Sequence, residues 1–308
     1  MDSFCAVRRC RAFNEMQAFP NDRTLTYLNP TMLPGIHQPI DPAMQNLSCL
    51  VVAICTLLVS CSGRDAAGAT DPDRTDATEE WITIFNGENL AGWTPKFAGY
   101  PAGENPRNTF RVEDGMVRVV YAEYDSFDNL YGHLYWHEPL SRYKLRFEYR
   151  FTGDQTPGGA DWNVRNSGVM FHSQSAESNE LDQDFPVSVE MQLLGGLGNG
   201  PRTTGNVCTP GTAVVRGDSV DFTHCINSSS ETYDGDGWVR AEAVVLGGEA
   251  MHFLIEGDTV LSFREPQIGG DMNTLGNDGK ILTEGYVALQ AESHPIDFRN
   301  IQLLKLGD

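Results

Sequence analysis

The chain has no window of a dozen residues with a convincing helical period, no internal repeat, and no glycine pattern of the Rossmann or P-loop kind. Those absences exclude a helical bundle and a nucleotide-binding α/β sheet. Basic residues are also scarce. Lys and Arg number 22 against 42 for Asp and Glu, a net charge of −20. A surface that acidic repels phosphate backbones and anionic headgroups, so nucleic acid is excluded as a partner. Cysteine is sparse, 7 in 308 residues, and its spacing matches no zinc pattern.

Long apolar runs are missing too, except for Ser48 to Cys61, which is too short to span a bilayer as a mature helix. It has the length of a signal-peptide core. Its ending, Leu58-Val59-Ser60-Cys61, resembles the bacterial lipobox, whose Cys is lipidated. A buried apolar helix is the alternative, and the lack of Lys or Arg between Asn46 and the apolar core counts against a signal. The expected organisation is a mis-assigned or disordered leader over 1–43, a lipoprotein signal peptide over 44–61, a flexible linker over 62–79 and one folded domain over 80–308. The linker reading rests on Ser62 to Glu79 having almost no apolar bulk. Export with a lipid anchor at Cys61 would leave Cys208 and Cys225, an even pair that reads as a disulfide. Two free core thiols are the alternative.

What is abundant is strand and turn. Candidate strands include Thr109–Val112, Met116–Val120, His133–Trp136, Tyr143–Phe151, Gly168–Ser173, Val187–Leu194, Trp238–Leu246, Met251–Glu256, Val260–Arg264, Tyr286–Glu292 and Ile296–Leu304, with Trp81–Phe85 as the first. Turn clusters recur at intervals that suit a sandwich or jelly roll, so the fold class is all-β. Two glycine-rich loops, Gly153 to Asn166 and Gly195 to Gly211, exceed ordinary hairpin lengths and are expected to wall a site.

Three stretches alternate so that ionisable side chains share one strand face: Arg146-Glu148-Arg150, Ser188-Glu190-Gln192 and Gln290-Glu292-His294. With Asn166 and His172 nearby, they suggest the lining of a site for a polar, uncharged molecule such as a sugar. Glu190, set among apolar neighbours, has the surroundings that raise a carboxyl pKa toward that of a general base; an ion pair with Arg146 or Arg150 is the bland alternative. A conventional retaining glycosidase needs two carboxyls about 5 Å apart. Jelly-roll glycosidases often set them at i and i+4 on one strand, but here position 194 is Leu. A second carboxyl would have to come from Glu148 or Glu292. His133, His172 and His294 leave open proton transfer or a divalent metal, with no HxH or HxxxH pair to specify one. Trp162, in a glycine-rich loop, is placed to stack on a sugar face.

Phe85-Asn-Gly-Glu-Asn-Leu-Ala-Gly-Trp93, Glu113-Asp-Gly115, Leu145-Arg-Phe-Glu-Tyr-Arg150, Asn166-Ser-Gly168, Val189-Glu-Met-Gln192 and Phe298-Arg-Asn300, in this order and spacing, resemble the bacterial 3-keto-disaccharide hydrolase domain family. The resemblance runs from about Trp81 to Leu306. It implies a single concanavalin-like jelly roll acting on glycosides oxidised at C3, by loss of the C2 proton, elimination and addition of water. On that reading Glu190, His172, His294 and Arg150 are the expected catalytic groups: Glu190 or a histidine as base, Arg150 or a metal on the enolate, His172 or His294 as acid. Glu148, Asn166, Gln192, Gln290, Glu292, Trp162 and His133 are expected to bind substrate. A carbohydrate-binding module of the same fold, or an envelope interaction domain, would carry the same motifs without the chemistry.

Overall fold

The computed structural model describes residues 80–307. The leader, the Ser48–Cys61 segment with its lipobox-like end, and the linker lie outside the described residues. Two antiparallel sheets, one of ten strands and one of seven, carry almost all the regular structure. The only helices among the described residues are short 3-10 turns at Pro106–Asn108, Asp161–Asn163 and Ala176–Ser178.

Alternation makes the sandwich. In Arg142–Phe151, Tyr143, Leu145, Phe147, Tyr149 and Phe151 are buried while the residues between them are half-exposed. In Val189–Leu194 the buried apolar set is Val189, Met191 and Leu193; in Tyr286–Ala291 it is Val287, Leu289 and Ala291. These inward faces meet in one apolar core, as face-to-face packed sheets require. The outward face of the seven-stranded sheet is also largely covered. There Ala176 of the third 3-10 turn packs with Tyr135, Met170 and Ala288 in a second, smaller cluster.

Three local departures from regular pairing matter later. The first predicted strand, Trp81–Phe85, pairs only over Ile82–Thr83, against Leu303 and Gln302. The Asn166–Ser173 strand bulges where it meets Tyr286–Ala291, with His172 at φ 47°. A β-bulge adds one residue and so inverts which face the next side chain takes. Gly285 is tied to this bulge, because a Cβ there would lie 2.4 Å from the His172 carbonyl carbon. The Ile296–Lys305 strand bulges between Arg299 and Gln302, with Asn300 at φ 54°.

Cys208 and Cys225 form a disulfide across 17 residues. They are in-register partners on the edge of the seven-stranded sheet. Between them the chain crosses to the other sheet, forms the Thr212–Arg216 and Ser219–Asp221 hairpin there, and returns. The bridge therefore closes a loop that visits both layers, worth roughly 3 kcal/mol in the chain-entropy account. Replacing both cysteines by Ser is expected to lower Tm by about 5–10 °C in a calorimetric melt; an unchanged Tm would show that the loop is held without it.

Candidate functional site

The outward face of the seven-stranded sheet is polar where the second cluster ends. Strand register places Lys96 beside His133, His133 beside Gln290, Gly168 beside Gln192, and Gln192 beside Asn206. Leu289 pairs with Val169, which sets Gln290 next to Gly168 and completes one continuous row. Glu190 starts one step along, opposite Met170 and Cys208. Its side chain leans over Gly168: a Cβ at that glycine would fall 2.2 Å from Glu190 Oε1. The bare glycine is what lets a carboxyl occupy the centre of the row. Glu292 follows Gln290 on the same face one step further on.

These groups are deeply withdrawn from water: Glu190 is 6 % exposed, Glu292 3 %, His133 3 % and Gln290 1 %. Burial raises the Glu190 carboxyl to about 8. Glu292 is raised well above the usual range, first by burial and then by the charge of Glu190 beside it. Among the described residues no cation offsets either. Two interacting carboxyls in a poorly solvated site oppose each other's ionisation, so they titrate as a pair. His133 goes the other way. Burial, helped by the Lys96 charge, lowers it to about 3, so its imidazole is neutral. Lys96 donates from Nζ to the carbonyls of Phe97 at 2.7 Å and Leu181 at 3.0 Å.

Several buried polar atoms along the row lack a hydrogen-bond partner among the described residues: His133 Nε2, both amide atoms of Gln290, and Asn166 Oδ1. An unpaired buried polar group costs about 1–3 kcal/mol, and native structures leave few of them. Four in one strip mark a surface whose partners arrive with a ligand. Tyr131, Trp162 and Phe185 flank it; the Tyr131 and Trp162 rings lie nearly parallel at 6.4 Å, and Phe185 is 4.8 Å from Tyr131. Asn163 donates to the Tyr131 hydroxyl at 3.3 Å, and Asn166 Nδ2 donates to the Trp162 carbonyl at 3.2 Å. Asp184, raised by burial and by Asp182, sits close enough to influence Tyr131.

Of the residues expected at the site, the structure gathers Glu190, Gln192, Gln290, Glu292, Asn166 and His133 on this one face, with Trp162 at its edge. Four others lie elsewhere. Arg150 and Glu148 point from the outward face of the ten-stranded sheet, on the far side of the core. There Arg150 pairs with Asp297 at 2.9 Å and Glu148 with Arg299 at 2.7 Å. His172, inverted by its bulge, reaches the other sheet and donates from Nε2 to the Gly247 carbonyl at 3.0 Å. Burial lowers it to about 4, which keeps it neutral. His294 follows Ser293, whose φ of 74° turns the chain, and packs edge-on against the core ring of Phe151 at 5.5 Å. Burial and the Arg165 charge lower it to about 4. Arg150 and Glu148, on the opposite layer, cannot act on a molecule held at Glu190.

Lys96, Tyr131 and Asn206 join the site without having been singled out. Lys96 lies on Trp93–Phe97, an edge strand whose alternation (Trp93, Pro95 and Phe97 buried) is plain once Pro95 is allowed. Proline is tolerated only on edges. Asn206 donates to Gln192 Oε1 at 3.0 Å and so fixes that amide. Among the described residues no group of three or more His, Cys, Asp or Glu is placed to hold a metal ion.

Two stacked antiparallel sheets, one with a partly polar outward face, define a jelly-roll β-sandwich. The chain belongs to the family described as the 3-keto-alpha-glucoside-1,2-lyase-like domain, matched over residues 80–304. No curated protein matches the chain. Solved structures of similar fold include a Parabacteroides distasonis protein provisionally named a glycosyl hydrolase (18 % identity over 74 % of this chain and 95 % of that one, TM-score 0.47). A Bacillus subtilis protein of unknown function with a galectin-like fold matches at 12 % identity (73 % and 94 % covered, TM-score 0.40). The carbohydrate-binding module CBM66 from Bacillus subtilis matches at 10 % (70 % and 96 % covered, TM-score 0.38). Membership of this family makes the function carbohydrate-related.

Carboxyl-detected NMR should show a titration step near 8 in which the Glu190 carboxyl takes part. In Gly168→Ala the new methyl displaces that carboxyl toward water, and its titration is expected to fall by about one unit or more. An unmoved titration would mean that Glu190 does not depend on the bare glycine.

Proposed function

We propose that the domain cleaves glycosides carrying a ketone at C3, with Glu190 as base and Glu292 as acid. The observation that carries this reading is the pair of buried, raised, cation-free carboxyls on a face lined with partnerless amide and imidazole groups. A ketone at C3 acidifies the C2 proton. Ionised Glu190 takes that proton, and the electron pair it leaves delocalises onto the C3 oxygen. Return of the pair forms the C1–C2 double bond and breaks the bond from C1 to the glycosidic oxygen. Protonated Glu292 gives its proton to the departing oxygen. Water then adds to C1 as Glu292 recovers a proton from it, and Glu190 returns its own to C2. Both carboxyls end as they began.

This chemistry passes through an enolate rather than a cationic sugar, so it does not need a carboxylate poised to trap C1. It needs neutral donors aimed at the C3 oxygen. With Arg150 on the other sheet, that role falls to the Gln290 amide, which has no other partner, and to His133 beside it. Neutral donors also avoid an ion pair that would pull Glu190 back to an ordinary carboxylate range.

Because Glu190 must be ionised to act, kcat on a 3-keto-disaccharide should rise with pH through a midpoint near 8, where its carboxyl titrates, and level off above it. Glu190→Gln is expected to lower kcat by about 100-fold or more and to stop deuterium exchange at C2 in D2O. Full turnover in that variant would remove Glu190 from the mechanism. Sugar binding without release from any keto-glycoside would instead support a non-catalytic module.

We also propose export and lipid anchoring at Cys61, on the strength of the apolar segment and the Leu58-Val59-Ser60-Cys61 ending. Mass spectrometry of the mature chain is expected to find a lipidated Cys61 at the N-terminus; an unmodified Cys61 would overturn the anchor.

A further inference from the structure

The outward face of the ten-stranded sheet carries a groove of about 380 Å³, walled by Arg146, Glu148, Arg240, Glu242, Asn300 and Gln302. That volume is in the range of small-molecule sites. Arginines on this face otherwise pair with acids: Arg299 with Glu148 at 2.7 Å, Arg240 with Glu256 at 2.8 Å, Arg150 with Asp297 at 2.9 Å, Arg142 with Glu249 at 3.1 Å.

Arg146 and Glu242 break the pattern. They are direct cross-strand partners, the arrangement that usually brings opposite charges together. Yet Arg146 gives its Nε to Gln302 Oε1 at 2.8 Å and lies flat over Trp81 at 3.9 Å. Glu242 has neither a hydrogen bond nor an ion pair among the described residues. A guanidinium and a carboxylate are thus held apart across the groove, both half-buried. The bulge at Asn300 adds an amide at the rim, with its Nδ2 donating to Glu148 Oε1 at 3.1 Å.

We propose that this groove binds a neutral saccharide, at a second site separate from Glu190. A vicinal diol presents donors and acceptors together, which suits acceptors on Glu242 and donors on Arg146. Polyanions meet Glu148, Glu242 and the chain's own excess charge, and simple cations meet Arg146. The two sites occupy opposite faces of one sandwich, so a glycan held in the groove keeps the domain near carbohydrate while the other face stays open, raising local concentration without competing for it. This inference stands whether or not the Glu190 face proves catalytic.

Cellohexaose and maltohexaose titrated into the full chain are the probes, followed by the indole NMR signal of Trp81. At least one should shift that signal, and Glu242→Ala and Arg146→Ala should each weaken the titration by about tenfold. Glu242→Ala should leave turnover of a short 3-keto-disaccharide within about twofold, since it touches neither site carboxyl. The near-isosteric Glu242→Gln guards against misfolding, and melts check every variant. The proposal is overturned if neither hexaose moves Trp81, if both variants bind as the parent does, or if glycine betaine shifts the signal and the sugars do not.

Discussion

In a two-layer sandwich every strand spends half its side chains on the shared core, and each sheet is left one outward face. Side chains on the two outward faces are separated by both sheets and the core, whose layers alone stand about 10 Å apart. No ligand of sugar size can touch both. This constraint divides the polar residues of the chain into two sets that never meet. Glu190, Gln290, Glu292 and His133 belong to one; Arg146, Glu148 and Arg150 belong to the other. Which chemistry the domain can perform follows from that partition more than from the identity of any one residue.

Within the first set, the decisive electrostatic fact is that no cation among the described residues offsets Glu190 or Glu292. A buried carboxylate would ordinarily recruit an arginine, and the pair would be inert. Here Arg150 and Arg299 stand on the opposite layer, occupied with Asp297, Glu148 and Trp238. Glu190 and Glu292 are left with each other, and mutual repulsion in a poorly solvated strip keeps a proton between them. The same surroundings hold His133 neutral. The strip therefore combines neutral amide and imidazole groups with a carboxyl pair, while Lys96 spends its donors on the Phe97 and Leu181 carbonyls.

Much of this was legible from residue order, and the failures have identifiable causes. Period-two alternation located the strands bearing Glu190, Gln192, Gln290 and Glu292, and it put them on outward faces correctly. The same signal in Arg146-Glu148-Arg150 was equally genuine, but alternation is silent about which sheet a strand joins, so a long-range pairing decision stayed hidden. His172 and His294 were misplaced for a local reason. Each sits at or just after a positive-φ residue, His172 itself and Ser293, where the parity of a strand is reset. Neither is a glycine that would have announced the irregularity. Lys96 escaped notice because Pro95 argues against a strand unless the strand is an edge, and edges are defined only by the finished sheet.

The bridge between Cys208 and Cys225 also bears on how the border of the site is held. Cys208 lies directly beside Glu190 in register, and the segment holding it is only three residues long, joined to Cys225–Ile226 by two backbone pairs. Under reducing conditions that border of the site would depend on a ladder too short to be firm. The disulfide is thus a covalent tie at the edge of the sheet, one strand away from Glu190 and where backbone pairing is shortest.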